Sequence, residues 1–156
     1  MKPNIKKLLI ALAIPLAVGG VAALITGGGM ADYQNLVRPP LSPPGWLFPV
    51  VWSILYLLMG YASYRVATSD ANPEEIRKAL ILYAIQLSLN FLWPIFFFGL
   101  EWRLIAFFIL LALWVAILLT MRAFSAIDET AGDLLLPYII WVTFAAYLNL
   151  ATYFLN

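Results

Sequence analysis

Five predominantly apolar stretches constrain this chain more than anything else in it. They run at about Leu8–Thr26, Trp46–Val66, Ala79–Gly99, Leu104–Phe124 and Leu134–Leu155. Each reaches the roughly 20 residues that a helix needs to cross a hydrocarbon core about 30 Å thick. In lipid every backbone N–H and C=O must be bonded within the protein, so apolar runs of this length become helices. With 64% hydrophobic and 11% charged residues, a water-soluble globule cannot hide the apolar surface. The sequence therefore predicts an all-α membrane protein: one five-transmembrane-helix bundle covering residues 1–156.

The charges respect those five spans. All seventeen Asp, Glu, Lys and Arg residues lie in the loops, in the N-terminal tail or within about one turn of a span end, so no ionisable group sits at mid-membrane as a proton relay or ion path needs. Lys2, Lys6, Lys7, Arg65, Arg77, Lys78 and Arg122 fall on one side, against Arg38 and Arg103 on the other. That asymmetry predicts a cytoplasmic N-terminus and an outside C-terminus, most simply in a bacterial cytoplasmic (inner) membrane. A cleaved signal sequence is the competing reading of the first span. The chain has no Cys and no His, so disulfides, thiolate or imidazole catalysis and haem ligation by either residue are excluded; no metal site is predicted. A net charge of +1 gives no field for nucleic acid.

Polar residues inside a span should face other helices rather than lipid. Gln86, Asn90 and Trp93 lie at i, i+4 and i+7 on one face of the third span. Tyr138, Trp141, Ala145, Leu148 and Thr152 share a face of the fifth, with Asn149 beside it. Trp52, Tyr56, Met59 and Ser63 do so on the second. The two amides either satisfy one another or hydrogen-bond a ligand in an apolar pocket, and Ala145 leaves room for a flat ring. Trp46, Trp102 and Trp114 read as interfacial belt residues. Gly19, Ala23 and Gly27 recur every fourth residue of the first span, and Ala84 and Ser88 in the third, as helix-packing or dimer faces. The first loop opens at Gly27–Gly29. Its four prolines, Pro39, Pro40, Pro43 and Pro44, stiffen it, which suits a lid over the bundle mouth as well as a rigid connector.

Three blocks of residues resemble the tryptophan-rich sensory protein/translocator protein family (TspO/MBR), once called peripheral-type benzodiazepine receptors. The first is Tyr33…Leu36…Pro39…Pro43-Pro44…Phe48-Pro49…Trp52…Leu55-Tyr56. The second is Gln86-Leu87…Asn90…Trp93…Phe97-Phe98. The third is Leu136-Pro137-Tyr138…Trp141…Phe144-Ala145…Leu148-Asn149. The resemblance implies a homodimer of five-helix bundles with a ligand pocket closed by the first loop. It further implies binding of tetrapyrroles such as protoporphyrin IX and haem, and of isoquinoline or benzodiazepine ligands, with porphyrin as ligand or substrate and no required cofactor. Carried over residue by residue, the pocket uses Tyr33, Pro43, Trp52, Tyr56, Gln86, Asn90, Trp93, Tyr138, Trp141, Ala145 and Asn149. Trp52 and Trp141 would be the catalytic residues if bound porphyrin is broken down by light. A small transporter of lipophiles and a ligand-responsive regulatory protein are the competing functions. Leu41 and Asp32 stand where the family often has tryptophan, and Tyr153 lacks the following basic residue of the animal sterol-recognition pattern.

Overall fold

The computed structural model describes residues 3–27 and 33–156. The glycine-rich opening of the first loop, Asp32 and Lys2 lie outside them. The five spans are all helical. α1 covers Ile5–Ile25, α2 Leu47–Ala67 and α3 Pro73–Pro94, continued by a π turn over Ile95–Gly99. α4 covers Arg103–Ile127, a short α5 covers Glu129–Asp133, and α6 covers Leu136–Leu155. At 1.5 Å per residue the shortest of the five crossing helices is about 30 Å long, the thickness of the hydrocarbon core.

The helix ends move outward from the apolar runs because capping extends a helix past the lipid boundary. α3 begins at Pro73, six residues before the expected span. Asn72 caps it by accepting a hydrogen bond from the Glu74 N–H at 2.9 Å, Pro73 supplies a preset φ, and Glu74 and Glu75 lie in its first turn. The Ser125–Asp133 link is mostly helical rather than open loop. α4 runs on to Ile127, and Asp128 then starts α5 by accepting from Thr130 N at 3.0 Å.

Pro94 ends α3 by removing the N–H that would bond Asn90. The following residues widen into the π turn, closed by Leu100 N donating to Ile95 O at 2.8 Å. That extra residue turns both Phe97 and Phe98 toward the bundle, where their rings meet at 4.8 Å.

The helices alternate in direction and close a ring in the order α1, α2, α6, α4, α3. α1 meets α2 and α3, and α4 meets α3 and α6 through close backbone approach. α2 and α6 instead meet through rings, Trp52 with Tyr138 at 6.2 Å and Phe48 with Trp141 at 5.9 Å. The core sits between α2, α3, α4 and α6, around Met59, Leu110, Leu113, Ile117, Tyr138 and Val142, each at most 1% exposed. α1 buries only Pro15 and Ala22. It docks at Gly60, where a Cβ would lie 2.6 Å from the Ala11 carbonyl oxygen and 2.8 Å from Leu12 Cα. Trp114 belongs to no belt: it lies mid-way along α4 and donates through Nε1 to Thr143 Oγ1 at 2.9 Å.

Candidate functional site

A cavity of 460 Å³ lies between α1, α2 and α3. The α1 wall is made of small residues, Gly19, Gly20, Ala23 and Gly27. The α2 wall presents Phe48, Trp52 and Tyr56, and the α3 wall Asn90, Trp93 and Pro94, with Phe98 from the π turn. The volume exists because glycines on α1 face large rings. A Cβ at Gly19 would run into the Tyr56 ring, while one at Gly20 would meet nothing within 4 Å. Trp52 stacks on Tyr56 at 5.6 Å and leans on Trp93 at 6.5 Å, making the far wall a continuous aromatic surface. No charged side chain among the described residues borders this cavity.

Behind that wall the polar side chains of the spans are joined to one another. Tyr56 O–H donates to Asn90 Oδ1 at 2.8 Å, Asn90 Nδ2 donates to Tyr138 Oη at 2.7 Å, and Tyr138 O–H donates to Gln86 Oε1 at 2.7 Å. Gln86 Nε2 ends the chain 4.0 Å from Met59 Sδ. A second link orients Trp93, whose Nε1 donates to Asn149 Oδ1 at 2.9 Å while Asn149 Nδ2 donates to the Arg103 carbonyl at 2.8 Å. A buried amide or hydroxyl without a partner costs about 1–3 kcal/mol, so these links hold the rotamers of the residues facing the cavity.

The first loop closes over the same end of the bundle. Tyr33 is 2% exposed and wedges its ring between Phe48, Phe97 and Phe98 at 6.2, 5.7 and 5.5 Å. Burial raises the pKa of its phenol, keeping it neutral at ordinary pH. Pro39 and Pro43 are buried. Tyr147 O–H donates to Pro40 O at 2.7 Å, and the Asn156 amide both accepts from Val37 N at 3.1 Å and donates to Val37 O at 3.0 Å. The stiff loop is thus pinned to the last turns of α6. Leu41 adopts φ 69° at its tip and is exposed.

Of the eleven residues singled out from the sequence, Trp52, Tyr56, Asn90 and Trp93 border the cavity. Gln86, Tyr138 and Asn149 stand behind it and hold those four. Tyr33 props Phe48 and Phe98, and Pro43 is buried under the loop. Ala145 is buried on α6 and does not border the cavity. Trp141 lies beyond Phe48 and borders a separate groove on the lipid face between α2 and α6, with Ile54, Pro137, Ile140 and Phe144. Its indole N–H has no partner among the described residues. The sequence reading missed Leu16, Gly20, Pro49, Ser53 and Pro94 as lining residues. The glycine and alanine repeat of the first span was the signal for the α1 side.

A sequence profile described as the TspO/MBR family matches residues 11–155. The chain is 39% identical to the "Tryptophan-rich protein TspO" of Chlorobaculum tepidum, over 100% of this chain and 99% of that one. It is 40% identical to the "Tryptophan-rich sensory protein" of Cereibacter sphaeroides, over 80% of this chain and 76% of that one. It is 39% identical to the "Translocator protein" of Ovis aries, over 80% of this chain and 75% of that one.

Proposed function

This chain belongs to the TspO/MBR family of integral membrane proteins, and on that premise we propose that its α1–α2–α3 cavity binds tetrapyrroles such as protoporphyrin IX or haem. The observation carrying this reading is the cavity itself: 460 Å³, with no charged side chain among the described residues on its walls, glycine on one side and Trp52, Tyr56 and Trp93 on the other. A flat aromatic ring stacks on such a wall, and the opposing glycines let it approach the α1 backbone. At roughly 25 cal/mol per Å², burying several hundred Å² yields several kcal/mol before ordering costs. Binding near −8 kcal/mol, about micromolar, is expected. Isoquinoline and benzodiazepine ligands offer the same flat apolar surface. Asn90 and Tyr56 orient the ligand, and the other residues named from the sequence act by holding the wall or the loop in place.

Titration of the detergent-solubilised protein with protoporphyrin IX in the dark tests this. Saturable tryptophan quenching at one ligand per chain is expected, lost in Trp52→Ala and retained in Trp141→Ala. Linear quenching indifferent to Trp52 would mean partition into the micelle and would overturn the reading.

A second reading, light-driven oxidative porphyrin breakdown, is favoured by one observation. Trp52 borders the cavity and touches three further rings, two of them the oxidisable phenols of Tyr56 and Tyr138. Trp52 would be the first electron donor, and Trp141 a donor only through Phe48. Aerobic illumination should bleach the complex faster than free porphyrin in the same detergent. Equal rates, or a rate unchanged in Trp52→Phe, would sink it. We also propose a homodimer, which the family resemblance alone suggests, and a bacterial cytoplasmic membrane with the N-terminus inside, which the excess of Lys and Arg on the N-terminal side supports. Chemical cross-linking and reporter fusions at the C-terminus test these two points.

A further inference from the structure

The bundle end that carries the loop has a cation, Arg103, whose hydrogen-bonding capacity is incompletely met among the described residues and which does not border the cavity. Arg103 opens α4 with its guanidinium over the Phe97 ring at 5.3 Å and its side chain 11% exposed. Neither Nε nor Nη2 has a hydrogen-bond partner among the described residues. A mostly buried guanidinium normally carries such partners. The nearest carboxylate is Glu101 Oε1, 3.8 Å from Nη2, which is an ion pair but too long for a hydrogen bond. Glu101 is half exposed, at φ 59°.

Both charges border one groove between the start of α4 and the end of α6. Its remaining walls are Trp102, Leu104, Ile105, Tyr153, Phe154 and Asn156. Trp102, Ile105 and Phe154 are 54%, 49% and 74% exposed, an apolar flank on the lipid side. Tryptophan and tyrosine are the residues that sit at headgroup level. The first N–H groups of α4 have no side-chain cap, adding positive potential at the same point.

We propose that this groove holds a zwitterionic membrane phospholipid bearing a primary amine, its phosphate on Arg103 and its ammonium on Glu101. The adjacent opposite charges match the phosphate–amine pair of one headgroup, whereas a net-anionic headgroup would meet Glu101 with like charge. An oxygen of the phosphate supplies the acceptors that the guanidinium fork lacks once the half-exposed Glu101 turns to the amine. The acyl chains run along Leu104, Ile105 and Phe154.

The test is lipid binding to the purified protein in neutral detergent, read by native mass spectrometry and by the shift in melting temperature. Phosphatidylethanolamine, phosphatidylcholine and phosphatidylglycerol are compared at equal concentration. Phosphatidylethanolamine should bind about five-fold tighter than phosphatidylglycerol, the worth of one interfacial ion pair, and tighter than phosphatidylcholine, whose quaternary ammonium has no N–H to donate to Glu101. Glu101→Gln should abolish that preference and favour phosphatidylglycerol. Arg103→Gln removes the phosphate contact common to all three and should weaken them alike while keeping their order, whereas Arg122→Gln at the opposite end of α4 should change nothing. Equal binding of the three lipids, or an order unchanged in Glu101→Gln, would overturn the proposal. Glu101→Gln alters an exposed side chain and keeps the test open if Arg103→Gln does not fold. An equal shift from soluble phosphoethanolamine would overturn the lipid assignment and leave a headgroup-only site. None of these outcomes depends on porphyrin.

Discussion

Two regions on either side of the Tyr56 ring use the same residue types to opposite ends. Toward α6, two tyrosines and two amides are linked into a dry chain, Tyr56 to Asn90 to Tyr138 to Gln86, with every hydrogen bond between 2.7 and 2.8 Å. Toward α1, Tyr56 and Asn90 border empty volume faced by glycine. The polar atoms around that ring are mostly occupied with one another, so what the cavity offers a ligand is chiefly shape and ring surface. Polar residues in a membrane span thus specify where the rings stand more than what they bind.

The largest effect that could break this comparison comes from the linked side. Tyr138→Phe leaves the Asn90 amide and the Gln86 carbonyl without their shared partner and should cost about 3 kcal/mol of stability. Thermal unfolding in detergent measures it, and a loss below about 1 kcal/mol would mean that the chain does not hold the core. Next comes the α1–α2 crossing. Gly60→Val forces a side chain onto the Ala11 and Leu12 backbone and should cost about 2 kcal/mol, with weakened ligand binding as α1 lifts. Gly20→Leu addresses the open side alone. Its Cβ has nothing within 4 Å to strike and the rest of the side chain extends into the cavity, so stability should stay within about 0.5 kcal/mol while porphyrin affinity falls about ten-fold. Unchanged affinity would move the ligand elsewhere.

The smallest effect lies at the far end. Asp128 accepts from Arg65 Nε at 2.8 Å and from Arg65 Nη2 at 3.4 Å. Burial pushes its carboxyl pKa up, but Arg65 and the Ala131 and Thr130 N–H groups outweigh that and hold it below the ordinary value. A depressed folded-state pKa stabilises fully above the unfolded value of about 4, and that stability is lost as pH falls from there through the lower folded value. Asp128→Asn should therefore cost about 1 kcal/mol at neutral pH, a difference that closes in melting curves taken below about pH 4.

The five crossings were legible because span length and apolarity are dictated by lipid thickness, a constraint read directly from the residues. Their ends were less so, since Asn72 and Asp128 carry helix past the apolar run by local capping. The site was half legible. The i, i+4 spacing put Gln86 with Asn90 on one face, which is buried, and left open whether the amides meet each other or a ligand; Asn149, read as lying beside the Tyr138 face, is buried with it. Sequence spacing cannot tell whether a glycine faces backbone, a ring or nothing. Gly60, Gly19 and Gly20 meet those three fates in turn. Trp141 and Trp52 look equivalent on their helices, yet Phe48 stands between Trp141 and the cavity.

The hydrogen-bond chain also has a direction. Each hydroxyl or amide hands its proton away from the cavity, from Tyr56 through Asn90 and Tyr138 to Gln86. The single phenolic proton of Tyr56 is therefore committed inward, and the cavity meets only its lone pair. Presenting a donor at that spot would require reversing the Tyr138 hydroxyl and both amides together. At the Tyr56 oxygen the wall therefore accepts rather than donates, so a ligand group seated there must bring its own N–H or O–H.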